Sequence, residues 1–241
     1  MRRVWYFLAG ISLVSQAHAQ TVKIPVIVPN DTWTYQNTTE TRVGWNQTDI
    51  ETTVTRAGPD EIAVDTRRVG STMPARESLS GRDWDRFRSV NGQETVVNKP
   101  LSFPLTIGKS WTIDYLEKHP NRQHDSERFR SVFTVTSWED VTVPAGTFHA
   151  IKIEAEGTWW AVSAPATSAV SASRIYAQGA TTLIQAGHSG ATSGSGRTYK
   201  SFWYVPGVKK WVKSVEEYYD AGGVRTARYS EELKSYKVSD R

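Results

Sequence analysis

Not one of the 241 residues is cysteine. That excludes a disulfide scaffold, a thiolate zinc or iron–sulfur centre, a thiol nucleophile and the Cys-anchored form of a bacterial lipoprotein. Long apolar runs are missing too. The longest, Val4 to Val14, is well short of the roughly 20 residues that a membrane-spanning helix needs. No window shows the repeat of about 3.6 residues that marks an amphipathic helix. Nor is there a marked excess of one charge, with 29 Lys and Arg against 25 Asp and Glu. Basic residues are interleaved with acids, as in Arg82-Asp83-Trp84-Asp85-Arg86 and Glu127-Arg128-Phe129-Arg130, and read as solvated strand faces. A nucleic-acid surface needs a concentrated basic stripe, so nucleic acid is excluded as a partner.

What is present begins with an export signal. Arg2 and Arg3 precede the apolar run, and Ala17-His18-Ala19 supplies the small-x-small pattern of a cleavage site. Residues 1–19 are expected to be a signal peptide cut between Ala19 and Gln20. The mature chain is then periplasmic, with an extracellular location as the alternative, and has no permanent membrane span. Losing Arg2 and Arg3 reduces the 29 basic residues to 27 against 25 acids, so the mature protein is nearly neutral. Residues 20–241 are long enough to bury a core without staples and read as a single β-rich domain.

Strand signals dominate that domain. Ser131 to Trp138 alternates between two faces, and Ile151, Ile153 and Ala155 alternate with Lys152, Glu154 and Glu156. Between them Pro144-Ala145-Gly146 is a tight turn, because proline presets one turn dihedral and glycine supplies a positive φ. The same logic makes Pro206-Gly207 the turn between Tyr199–Val205 and Lys210–Tyr219. Further strands are expected at Val22–Val28, Trp33–Glu40, Asp49–Arg56 and Glu61–Val69, with Gly58-Pro59-Asp60 as a turn. From Ala161 to Gly196 the composition shifts to Ala, Ser, Gly and Thr, which reads as a low-complexity insertion, a long flexible loop or hairpin. A lid over a ligand cavity is its functional alternative.

Four segments taken together resemble a known group. They are L-x-F-P-L-x-x-G-K-x-W (Leu101 to Trp111), V-T-V-P-A-G-T-F (Val141 to Phe148), W-Y-V-P-G-V (Trp203 to Val208) and E-L-K-S-Y (Glu232 to Tyr236). Their order and spacing are similar to those of uncharacterised exported bacterial envelope proteins classed as a domain of unknown function. The resemblance implies a mainly β fold, a curved antiparallel sheet like the half-barrels of the lipoprotein carriers LolA and LolB. It supplies no catalytic residues.

Candidate chemistry is sparse. Gly187-His188-Ser189-Gly190-Ala191 departs from the serine-hydrolase elbow at Ala191. His119, His124 and Asp125 lack the helical spacing of a zinc motif, and His149 reads as a satisfied strand residue. Asp83 and Asp85 flank Trp84, and Glu216 adjoins Glu217; neither pair is expected to supply two convergent carboxylates. No catalytic residue, metal site or cofactor is therefore assigned. The aromatic content is more suggestive, because nine of the ten tryptophans follow residue 19. Trp159 and Trp160 should face opposite sides of a strand. Trp159, Trp160, Trp203 and Tyr176 are the candidate ligand-binding residues.

These features favour a non-enzymatic exported protein that takes up a lipid or other amphiphile on an apolar concave sheet. The alternatives are a structural or interaction component of the envelope with a protein partner and, third, an enzyme acting on glycans or lipids.

Overall fold

The computed structural model describes residues 21–121, 124–163 and 193–239. The signal-peptide segment and Tyr176 lie outside them. The described residues form twelve strands: β1 (Thr32–Thr41), β2 (Gly44–Ala57), β3 (Glu61–Arg68), β4 (Arg76–Gly81), β5 (Arg86–Val90), β6 (Gln93–Asn98), β7 (Ser110–Lys118), β8 (His124–Val143), β9 (Gly146–Ser163), β10 (Ser193–Val205), β11 (Lys210–Asp220) and β12 (Arg225–Lys237). Of the 161–196 segment, Ala161–Ser163 and Ser193–Gly196 are the paired ends of β9 and β10, and 164–192 fall outside the described residues.

Ten strands make one antiparallel sheet in the order β4-β3-β2-β1-β12-β11-β10-β9-β8-β7. Two meanders, β1–β4 and β7–β12, are joined where the first strand pairs with the last, from Thr32 beside Lys237 to Thr41 beside Ala227. The sheet is open, yet Arg76 of β4 and Ile113 of β7 line the same cavity from opposite edges. The sheet is therefore strongly curved, as expected of a right-handed twist accumulated over ten strands. The separate β5–β6 hairpin crosses the mouth between the edges. Its turn residue Asn91 is tied to β7, donating to the Leu116 carbonyl at 2.8 Å and accepting from the Lys118 amide at 2.7 Å.

Two expectations are corrected here. Val22–Val28 is not a strand; only Val22 pairs, with Leu105. Pro25 and Pro29 break the run, because a proline offers no N–H to a ladder. Residues 82–85 are not a solvated strand face either. They form a loop whose Trp84, at φ 60°, turns into the core and is 6% exposed.

Alternation places the core on the inner face of the sheet. Trp33, Val54, Phe133, Ile153, Phe202 and Leu233 are buried there. The four segments that carry the sequence resemblance all pack at its closed end. Leu101 and Leu105 are fully buried, and Lys109 Nζ donates to the Pro104 carbonyl at 2.9 Å. The Ala145 amide donates to the Leu233 carbonyl at 2.9 Å, Phe148 meets Tyr236 edge-on, and Phe103 meets Tyr204 edge-on. These segments are turns and plugs that seal one end of a curved sheet.

Candidate functional site

The open part of the inner face is a groove. Its main cavity, about 970 Å³, extends from Ser78 and Leu79 on β4 past Trp84, Trp211 and Phe202 to Trp159 on β9. A second cavity of about 470 Å³ shares Arg86, Phe87 and Phe129 with it and continues toward β7. Ring faces and aliphatic side chains supply much of the wall.

The floor is built around the turn between β10 and β11. Three aromatic donors satisfy its carbonyls: Trp33 Nε1 bonds Val208 O at 2.8 Å, Trp84 Nε1 bonds Lys209 O at 3.1 Å, and the Tyr35 hydroxyl bonds Trp211 O. The turn is a short 3₁₀ segment, Pro206–Val208, and its positive φ falls on Lys209 at 62° rather than on Gly207. Lys209 reaches back to Asp31, with Nζ 3.1 Å from Oδ2, and both residues are buried. A bulge follows, at which the partner of Trp203 shifts to Lys213 and Val212 is left over. Bulges re-aim side chains, and here Lys210 and Trp211 both line the groove.

Lys210 is the most unusual group in the molecule. Its ammonium lies 4.5 Å from the ring centre of Trp84, 4.9 Å from Tyr35, 5.0 Å from Trp211 and 5.5 Å from Trp33. Among the described residues it makes no hydrogen bond and no ion pair, and it is 7% exposed. Burial pushes its pKa down to about 8, with Glu231 opposing the shift. Glu231 itself is engaged elsewhere, accepting from Asn37 Nδ2 at 3.3 Å, Trp211 Nε1 at 2.8 Å and Ser214 Oγ at 3.2 Å. Asn37 Oδ1, buried in the same groove wall, has no partner among the described residues.

This arrangement has a pH signature. A lysine whose folded pKa lies below its unfolded value of 10.5 destabilises the fold while charged. A depression to about 8 corresponds to about 3 kcal/mol, of which the surrounding rings return a part. Lys210→Met is therefore expected to unfold at higher denaturant at pH 7, by about 1–2 kcal/mol. The gain should shrink as pH rises from 8 and vanish near 10.5, where the unfolded amine is neutral too. Urea titrations of both proteins across that range check it; a gain that does not change with pH contradicts it.

The three candidate residues that are described, Trp159, Trp160 and Trp203, do not converge. Trp159 faces the groove and lies across Gly196 of β10, its Nε1 3.2 Å from the Tyr219 carbonyl. An added Cβ on Gly196 would overlap that carbonyl oxygen and the indole, so glycine is what lets the ring lie there. Trp160, as alternation requires, is on the outer face and 45% exposed. Trp203 is outward too, with Nε1 2.5 Å from Glu139 Oε1 and the Lys152 ammonium 5.3 Å over its ring.

The remaining polar candidates are ion pairs. His119 meets Asp125 at 3.2 Å and His124 meets Glu127, so the imidazoles take separate carboxylates. His149 stacks on Trp138 and pairs with Asp140 at 2.7 Å. Glu216 and Glu217 do face opposite sides, toward Lys200 and Arg225 respectively. Asp83 and Asp85 correct the expectation. The loop that holds them turns both carboxylates to Lys99, at 3.1 and 2.8 Å. Burial raises the Asp85 pKa against the pull of Lys99, whose own pKa those acids raise despite burial.

Lys210, Asn37 and Glu231 were missed by sequence reasoning. A lysine beside Lys209 in a polar hairpin carries no burial signal, because the bulge that turns it inward leaves no mark on residue alternation. A usable signal lay in Trp33-Thr34-Tyr35, which places two rings on one strand face.

Among the described residues no helix is long and apolar enough to cross a membrane. No family model and no curated protein matches the chain. Three solved structures are similar to it at low identity. One, from Bacteroides fragilis, is described as an exported protein with a YmcC-like fold; it is 15% identical over 90% of this chain and all of its own, with a TM-score of 0.39. A protein from Parabacteroides distasonis described as a lipoprotein is 13% identical over 90% of this chain and all of its own, at 0.43. The hypothetical lipoprotein YmcC from Escherichia coli is 11% identical over 84% of each chain, at 0.33. At these identities and TM-scores the neighbours assign neither a family nor a ligand to this chain.

Proposed function

We propose that this is an exported, non-enzymatic binding protein of the cell envelope that holds one amphiphile in the groove of its curved sheet, as a half-barrel carrier does. The observation that carries the reading is the cavity of about 970 Å³ on the inner face, walled by Trp84, Phe87, Phe129, Trp159, Phe202 and Trp211. Small-molecule sites have about 300–1,000 Å³ and are mostly apolar with a few placed polar groups. Burial of an acyl chain yields about 0.8 kcal/mol per methylene, and association costs about 4–15 kcal/mol. Ten buried methylenes yield about 8 kcal/mol, within the range of that cost, so affinity should rise steeply with chain length around this size. The acids in the wall have partners, Glu216 in Lys200 at 3.1 Å and Glu231 in three neutral donors.

The test is displacement of a fluorescent naphthylamine probe by dodecyl-chain amphiphiles. Thr39 lines the cavity, and Thr39→Trp places an indole in it, narrowing the groove. Affinity is expected to fall at least tenfold in that variant. Unchanged affinity would place the binding site elsewhere.

One observation favours the second reading, a component that docks on an envelope protein. Val43 and Trp45, at the turn between β1 and β2, are 98% and 71% exposed. That tip lies apart from the cavity lining.

A further inference from the structure

The groove has a charge that its ligand must match. Arg76, Arg86, Arg88, Lys200 and Lys210 line the two connected cavities, against Glu216 and Glu231. Five cations and two acids line the cavities, and Arg88 is paired with Glu117 behind the wall, which leaves four cations against two acids in a chain that is nearly balanced as a whole. Neither acid bonds Lys210: Lys200 holds Glu216 at 3.1 Å, and Glu231, though its charge is felt at Lys210, gives its oxygens to Asn37, Trp211 and Ser214. Lys210 is left as a buried ammonium with rings around it and no hydrogen-bond acceptor among the described residues. Buried charges are ordinarily paired. The rings stabilise the cation through their faces but offer no conventional acceptor, so its N–H groups have no partner among the described residues.

We propose that the amphiphile is anionic, a single-chain carboxylate of the fatty-acid type, and that Lys210 is the site of its head group, with the chain lying along Trp211, Phe202 and Trp159. This rests on the groove being the binding site. A carboxylate supplies the hydrogen-bond acceptor that Lys210 lacks among the described residues, and charge-assisted hydrogen bonds are roughly twice as strong as neutral ones. Arg76 and Arg86 line both cavities, and the structure shows neither in an ion pair among the described residues; they attract an anion to the mouth. Glu231 sets the limit. Its carboxylate beside Lys210 disfavours a dianionic head, which makes a monoanion the fitting charge.

Selectivity between heads on one chain length tests this. Dodecanoate, 1-dodecanol and dodecyltrimethylammonium are titrated by isothermal calorimetry at pH 7 into the wild-type protein and Lys210→Met, with thermal melts recording that each protein is folded. The wild type is expected to bind dodecanoate at least tenfold more tightly than the alcohol and the ammonium amphiphile most weakly. The acid-to-alcohol ratio should fall to near one in Lys210→Met. Equal affinity of acid and alcohol in the wild type would overturn the head-group assignment while leaving the groove as a binding site. A ratio that persists in Lys210→Met would overturn the role of Lys210. Binding of none of the three would overturn the groove reading and the assignment together.

Discussion

Replacement of Trp84 by alanine is expected to cost about 3–5 kcal/mol of stability, the usual range for emptying a buried aromatic site. The ring is 6% exposed and meets Trp33 edge-on at 5.2 Å and Trp211 at 6.2 Å. Its Nε1 donates to the Lys209 carbonyl, which would be left without that donor. The effect reaches beyond packing, because Trp84 is the closest of the four rings around Lys210 at 4.5 Å. It is also the residue through which the loop from β4 to β5 is pinned beneath the groove. Urea unfolding measures the loss. Trp84→Phe keeps most of the ring and loses the donor, so its cost should be about 1–2 kcal/mol. An alanine variant within 1 kcal/mol of wild type would mean that this loop does not hold the closed end.

Asp31→Ala is expected to be comparably damaging, by about 3–5 kcal/mol, because it strands a buried cation. Asp31 is 1% exposed and saturated: Oδ2 accepts from the Val28 amide and from Lys209 Nζ, both at 3.1 Å, and Oδ1 accepts from the Ser239 amide at 2.9 Å. One carboxylate thus ties the segment before β1, the turn before β11 and the end of β12. Its removal leaves Lys209, 6% exposed, with no counterion. The double variant Asp31→Ala with Lys209→Met removes both charges and should recover much of the loss. Equal destabilisation in single and double variants would show that the amide hydrogen bonds, not the charge, dominate.

These two sites show why the fold was largely legible and the groove only partly so. Alternation in Ile151, Ile153 and Ala155, and the Pro144–Gly146 turn, report local geometry, and β8, β9 and their hairpin follow from them. The opposed faces of Trp159 and Trp160, and of Glu216 and Glu217, follow from the same period of two. Three things were not local. The Val22–Val28 run has strand composition but holds Pro25 and is followed by Pro29, so its amides cannot complete a ladder. Trp84 sits in a run that reads as solvated because charges surround it, yet its neighbours bind Lys99 while its ring turns inward. Lys210 owes its burial to a bulge and to rings from β1 and the Trp84 loop, elements far away in the chain. Sites assembled by register shifts and distant strands leave little trace in any one stretch of sequence.

The central claim is that the inner groove holds an amphiphile, and the most direct measurement is native mass spectrometry of the mature protein purified gently from its own host, followed by extraction of whatever co-purifies. The expected result is one discrete ligand per chain, single-chained and anionic, lost from Thr39→Trp. An empty monomer that remains empty when offered lipids would contradict the groove reading and direct attention to the exposed tip at Val43 and Trp45.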